Sequence, residues 1–231
     1  MWETVRELAP QRKTRRSVLT GNVGPVTTPH RPTPSATRRN EASRRAILAA
    51  AFDLLQEVGY AKLSIEGIAA RAGVGKQTIY RWWPSKGAVI FDAFLMLSEG
   101  GEGEPPTLPD SGDLEADLTA VLHATVAELT DPRYDRPMRA LATEIANDPE
   151  LAAAYSQRLD GPMKEAKRQR LASAQRAGQL AEDVDLDVAV EMIWGPVLNR
   201  WLQRSGPLTA EYTDRVITTA LNGLRPRPSG R

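Results

Sequence analysis

The chain contains no cysteine. That excludes disulfide frameworks, cysteine–zinc sites, iron–sulfur clusters and thiol nucleophiles. Only two histidines are present, His30 and His123, too few for the paired imidazoles of a metal or acid/base site. No uninterrupted apolar run approaches the length that crosses a bilayer. A Gly-rich phosphate loop and a nucleophile elbow are both missing, and Gly101-Glu102-Gly103 is acidic and followed by prolines, so it would repel phosphate. Asp183, Asp185 and Asp187 imitate the start of a calcium loop. Val188 stands where that loop needs glycine and Trp194 where it needs glutamate, so a capped, solvated turn is expected. These absences argue against an enzyme, and neither metal nor cofactor is expected. What is present is ordinary for a soluble globular protein of one to two domains: 231 residues, 41% hydrophobic and 26% charged.

The net charge of +1 conceals an asymmetry. Residues 1–91 carry 15 Lys/Arg against 6 Asp/Glu, whereas residues 92–231 carry 15 against 23. A basic head on an acidic body suggests that only the head meets a polyanion. Arginine outnumbers lysine 24 to 6, which a GC-rich genome explains as well as phosphate binding does. The position of the charge is therefore more informative than the choice of cation.

Residues 1–38 read as a disordered basic arm, with proline, glycine and scattered arginine in place of an apolar pattern. Thr14-Arg15-Arg16-Ser17-Val18-Leu19 resembles a twin-arginine export signal but lacks the apolar stretch that should follow. A cytoplasmic protein, at the nucleoid when bound, is the expectation. The arm either follows DNA or is a passive tail, of the kind a misassigned start codon adds. From Asn40 the pattern is helical, with Ile47, Ala50, Ala51, Leu54, Leu55 and Val58 at spacings of three and four. Residues 39–98 form the first domain, 99–112 an acidic Gly/Pro linker, 113–225 a second, entirely helical domain and 226–231 a tail. In the second domain, helices are expected over about 114–129, 133–147, 149–177, 187–201 and 209–224. Gly161-Pro162 and Gly195-Pro196 are expected to interrupt two of them. The fold class is all-α.

The strongest signal is a helix-turn-helix over about 64–83. Ser64 caps a short helix, Ala69 is small enough for a close crossing, Gly73 supplies the left-handed turn, and Val74 and Ile79 plug the core. A third helix, 76–82, then presents Lys76, Gln77, Thr78 and Arg81 outward. These side-chain types read base edges in the major groove. Tyr80, Trp82 and Ser85 reach phosphate at the flank, and Lys86 at a helix N-terminus shares one. With Arg44, Ser64 and Ile65 these form the candidate DNA-contacting set. For Arg44 and Arg45, phosphate contact and plain exposure stand about even.

The run Gly59-Tyr60, then Leu63-Ser64-Ile65-Glu66-Gly67-Ile68-Ala69-Ala70-Arg71-Ala72-Gly73-Val74-Gly75-Lys76-Gln77-Thr78-Ile79-Tyr80-Arg81-Trp82-Trp83-Pro84-Ser85-Lys86, resembles the DNA-binding domain of TetR-family (TetR/AcrR) transcriptional regulators. The likeness covers about a quarter of the chain. The acidic helical remainder is similar in length and character to that family's second domain. Gly67 departs from the usual helix former, at a cost of up to about 1 kcal/mol. The resemblance implies a homodimer joined through about 187–224, a palindromic operator in double-stranded DNA, and a small-molecule effector that releases repression by moving the helix linking the two domains. The alternative is a helix-turn-helix protein acting as an activator or protein adaptor without an effector. No membrane partner is expected.

Met138, Leu141, Ile145, Tyr155, Met163, Trp194 and Trp201 are candidates to line an effector cavity, because Met and aromatic residues suit adaptable pockets. The same residues at helical spacing also read as ordinary core. His123 is either a core or rim histidine or a pocket residue. The basic run Lys164, Lys167, Arg168, Arg170 reads as a solvated helix face.

Overall fold

The computed structural model describes residues 34–98 and 105–226. The expectations for residues 1–33, for residues 99–104 of the linker and for residues 227–231 of the tail lie outside the described residues. Those described are all-α, without a strand. None of the described helices is long and apolar enough to cross a membrane.

Helix α1 (Pro34–Val58) starts six residues before the expected Asn40, so the basic arm's last residues belong to it. It buries Ile47, Leu48, Ala51 and Leu55 and ends at Gly59, whose φ of 74° a side-chain-bearing residue rarely adopts. Helix α2 (Ile65–Ala72) is capped by Ser64 Oγ, which accepts from Gly67 N at 3.1 Å. At its other end Val74 N donates to Ala69 O at 3.0 Å and Gly73 N to Ala70 O at 3.3 Å, with Gly73 at φ 67°. These are the paired bonds of a Schellman ending, and they aim the chain into α3 (Lys76–Tyr80). That helix is shorter than the expected 76–82. Trp82 N turns back to Ile79 O at 2.9 Å, a tighter turn that swings Trp83 into the core. Ser85 Oγ then accepts from Ala88 N at 3.2 Å and opens α4 (Lys86–Ser98).

α4 is apolar nearly all round, as a helix with neighbours on every side must be. Val89, Ile90 and Ala93 join the core made with α1, α2 and α3. Phe91, Phe94 and Leu95 face the opposite way, into a second core with Leu141, Leu151 and Leu159. These last three come from α6 (Pro132–Ile145), α7 (Pro149–Tyr155) and the turn that follows α7. Pro137 inside α6 has no N–H for the Arg133 carbonyl four residues back. Gln56 of α1 supplies the donor instead, at 2.6 Å.

The remaining helices are α5 (Leu114–Thr130), α8 (Gly161–Arg176), α9 (Leu186–Gln203) and α10 (Ala210–Leu224). They bury Leu118, Leu122, Leu171, Ile193, Trp194, Ile217 and Leu221 in a third core. Asp185 rather than Asp187 starts α9, accepting from Asp187 N and Val188 N at 2.9 and 3.1 Å. Both expected helix breaks are corrected. Gly195-Pro196 lies within an unbroken α9. Before Gly161-Pro162 the chain stays helical but widens into a π-turn, Ser156–Asp160, closed by Gly161 N on Ser156 O. The wide turn accommodates a proline that cannot donate, and a Cβ on residue 161 would sit 2.8 Å from Ser156 O.

The basic run of α8 is a solvated face only in part: Arg168 is exposed and Lys164 half-buried, but the other two members point inward. Lys167 is 7% and Arg170 4% exposed. Both lie on the apolar stripe of Met163, Ala166, Leu171 and Ala174, so the helical period carries them inward. Arg170 Nη2 and Nε donate to Asp117 Oδ2 at 2.6 and 3.0 Å, and Nε also reaches Pro109 O at 2.9 Å. Ser111 N donates to the same carboxylate oxygen at 3.0 Å. One buried ion pair thus ties the end of the linker to α5 and α8.

Candidate functional site

The candidate nucleic-acid face is built outward from Ile79, which is fully buried and fixes the rotation of α3. That rotation leaves Lys76, Gln77, Tyr80, Arg81 and Trp82 exposed and Thr78 half-buried. Tyr80 is 50% and Trp82 38% exposed, unusual for large rings on a folded surface. Trp82 leans on the buried Trp83 with ring centroids 6.1 Å apart. Lys76 Nζ lies 3.0 Å from Glu66. Both groups are exposed, so water holds them together only weakly and the lysine is available to a stronger anion.

Four other members of the expected set are engaged within the fold. Ile65 is 7% exposed and packs in the first core, while its neighbour Ser64 caps α2. Lys86 turns its ammonium onto Tyr60 O and Leu63 O at 3.1 and 3.2 Å and over the Tyr60 ring at 3.8 Å. It pins the loop after α1 to the start of α4. Arg44 is half-buried against Asp92, 2.9 Å away, with its guanidinium 6.0 Å from the Trp83 ring.

Asp92 joins three parts of the molecule. Its Oδ2 accepts from Arg44 of α1 and from Trp83 Nε1, each at 2.9 Å, and its Oδ1 accepts from Arg158 of the π-turn at 2.6 Å. Burial alone would raise its pKa, but donation from Trp83, Arg158 and Arg44 outweighs burial and holds the carboxyl below the usual range. The Arg158 guanidinium also lies 5.3 Å from the Phe91 ring of α4. Sequence reasoning missed this cluster because its members are far apart in the chain.

A cavity of about 400 Å³ lies behind α4, within the range of small-molecule sites. Six candidates line it: Met138, Leu141, Ile145, Tyr155, Met163 and Trp201. Two do not. Trp194 is buried behind Lys167, and His123 lies at the surface with Nε2 2.6 Å from Asp214. The lining also includes Phe94, Leu198, Leu202 and Lys167. Phe94 had a readable signal, since a helix apolar on both faces needs a second partner. Lys167 had one in its spacing of four from Met163 and from Leu171. Trp201 Nε1 donates to Asp135 at 2.7 Å and stacks 4.4 Å from the Arg139 guanidinium, so this wall is held in place.

Residues 47–93 match the family described as bacterial regulatory proteins of the tetR family, and residues 108–220 match the tetracyclin repressor-like C-terminal domain. An HTH-type transcriptional regulator of Bacillus subtilis, YdeS, is 34% identical over 188 residues, covering 81% of this chain and 92% of that one. The DNA-binding transcriptional repressor TetR of Mycobacteroides abscessus is 29% identical over 196 residues, covering 84% and 98%. The crystal structure of the TetR family transcription regulator SCO0332 superposes with a TM-score of 0.63 at 34% identity, covering 80% of this chain and 99% of that one. With an exposed α3 on a basic head and a helical body behind it, the chain belongs to the TetR family of DNA-binding transcriptional regulators.

Proposed function

We propose that the protein is a homodimeric repressor of a palindromic operator, released when a small molecule fills the cavity behind α4. The observation that carries this reading is the double role of α4. Phe94 forms part of the cavity wall, and two residues earlier Asp92 holds Arg44 of α1 and Trp83 beside α3. A ligand that displaces Phe94 or the π-turn therefore pulls on the element that positions α3. Dimerisation is supported by an apolar stripe on α9. Val188, Met192, Leu198 and Leu202 are 38–51% exposed on one helix, a pattern that marks an interface. One short α3 reads few base pairs, and a two-fold pair spaced about 34 Å apart reads a palindrome. A relative described as a repressor supports the direction of control.

Selection from a random duplex library tests the reading. The expected product is a palindrome whose half-sites lie about one helical turn apart, bound far more weakly at about 200 mM than at about 50 mM salt because phosphate contacts release counterions. A non-palindromic product, or affinity indifferent to salt, would count against it.

The route of release has its own test. Arg158→Gln removes the π-turn's charge from Asp92 but leaves Arg44 and Trp83 in place. Operator affinity should change by less than about fivefold, because the arginine of this pair is open to water and Asp92 keeps its other two donors, so the loss should be about 1 kcal/mol or less. The effector concentration needed for release should rise more than affinity falls, read in one fluorescence-anisotropy titration with and without ligand. Equal shifts in both would reject the route through Asp92.

A further inference from the structure

Lys167 is the one cationic side chain among the described residues lining the cavity. It is 7% exposed, and its ammonium lies 5.0 Å from the Trp194 ring centroid. Among the described residues it has no ion-pair or hydrogen-bond partner. Burying an ammonium in an apolar enclosure is costly unless a counter-charge is supplied, and a ring face offsets only part of that cost. Two acids also line the cavity, but neither neutralises the lysine. Asp160 is exposed to water and acts on Lys167 only as a field, and Glu128 is half-buried with an interaction of its own.

We propose that the cavity takes a ligand with an apolar body and one carboxylate head, and that Lys167 neutralises that head. The body meets Phe94, Met138, Leu141, Tyr155 and Met163, and the carboxylate meets the unpaired ammonium beside Trp194. This inference rests on the effector reading above and names the chemical class of the effector. Burial holds Tyr155 protonated, with a pKa of about 12, so its phenol adds no negative charge to the wall at neutral pH. Burial also lowers Lys167 to about 8, which leaves the ammonium the major form at pH 7. The acidic, aromatic-containing composition of the body permits a cationic or a neutral apolar ligand, but its carboxylates lie mostly at the water-facing surface, and composition says nothing about which charge faces the cavity.

Two matched probe series test the proposal by isothermal titration at pH 7: octanoate, octanol and octylamine, and naphthylacetate, naphthylethanol and naphthylethylamine. In at least one series the carboxylate should bind about 10- to 100-fold more tightly than its alcohol, the worth of one charge-assisted pair out of water. Lys167→Met and Lys167→Gln should each erase that preference while alcohol affinity is kept. The wild-type comparison does not depend on either variant folding. The proposal is overturned if the alcohol equals the carboxylate in both series, if the amine binds most tightly, if the preference survives both substitutions, or if no probe binds. Adding the preferred carboxylate to the protein–operator complex separates the two readings. Lys167-dependent binding without release of DNA rejects the effector reading and keeps the ligand class. Release driven equally by the alcohol rejects the ligand class and keeps the effector reading.

Discussion

Arg170→Ala should lower folding stability by about 3–5 kcal/mol, the usual cost of removing one partner from a buried ion pair. The substitution leaves Asp117, which is 6% exposed, without its counter-charge and with only the Ser111 N–H, and it takes a donor from Pro109 O as well. Urea unfolding followed by tryptophan fluorescence gives the number, and the midpoint should fall without a large change in slope. A double substitution, Arg170→Met with Asp117→Leu, should recover most of the loss. An apolar pair of similar volume often replaces a buried ion pair without penalty, and Arg170 Nη1 is itself buried without a hydrogen-bond partner among the described residues. A loss below about 1 kcal/mol for Arg170→Ala would mean that water reaches Asp117 once the arginine is gone.

Lys167→Met should move stability the other way, by a gain of roughly 1–3 kcal/mol at pH 7. Burial lowers the lysine's pKa from its ordinary 10.5 to about 8, with the field of Asp160 opposing that fall. Between those two values the unfolded chain holds a proton that the folded chain has lost, so folding becomes more favourable as pH rises. Below about pH 8 the native state carries the full cost of the buried ammonium, and toward pH 10.5 that cost disappears. The advantage of the methionine variant should therefore be largest at neutral pH and fade above pH 9, in paired thermal melts across that range. The other titratable groups lining the cavity are Glu128 on α5, Tyr134 on α6 and Tyr155 on α7. Of these, Tyr155 is held protonated by burial until about pH 12. An advantage that does not vary with pH would assign the gain to packing rather than charge. A variant that is more stable yet has lost its carboxylate preference would show that the lysine is kept at the expense of the fold.

Legibility followed the range of the interactions. The turn at Gly73, the cap at Ser64 and the inward Ile79 depend on residues within about one helical turn of each other, and their residue types announce them. Arg44 was ambiguous on the sequence because Asp92, which claims it, lies 48 residues away. Ile65 is in the candidate DNA-contacting set, but the helical period that buries Ile68 and Ala69 buries it too. Lys167 and Arg170 were read as solvated because they are charged, although their positions lie on the apolar stripe of α8. Gly161-Pro162 looked like a break, and the chain made a wide turn instead, because a π-turn accommodates the missing donor without ending the helix. The cavity was half legible: the Met and aromatic residues of α6 to α9 pointed to it, but the share contributed by α4 depended on the packing of two cores against one helix.

That shared helix bears on how such regulators can be recombined. A boundary drawn in the linker after Ser98 would look natural, with the helix-turn-helix before it and the helical body after it. A fragment cut there would carry Phe91, Phe94 and Leu95 without the residues that bury them. The remaining fragment would be left with an uncovered hollow. A working chimera would need either to inherit α4 together with the helices packed behind it or to redesign its outward face to match new ones. The seam between the two modules runs lengthwise along a helix, and exchange of parts is limited there by side-chain fit rather than by the length of the connecting loop.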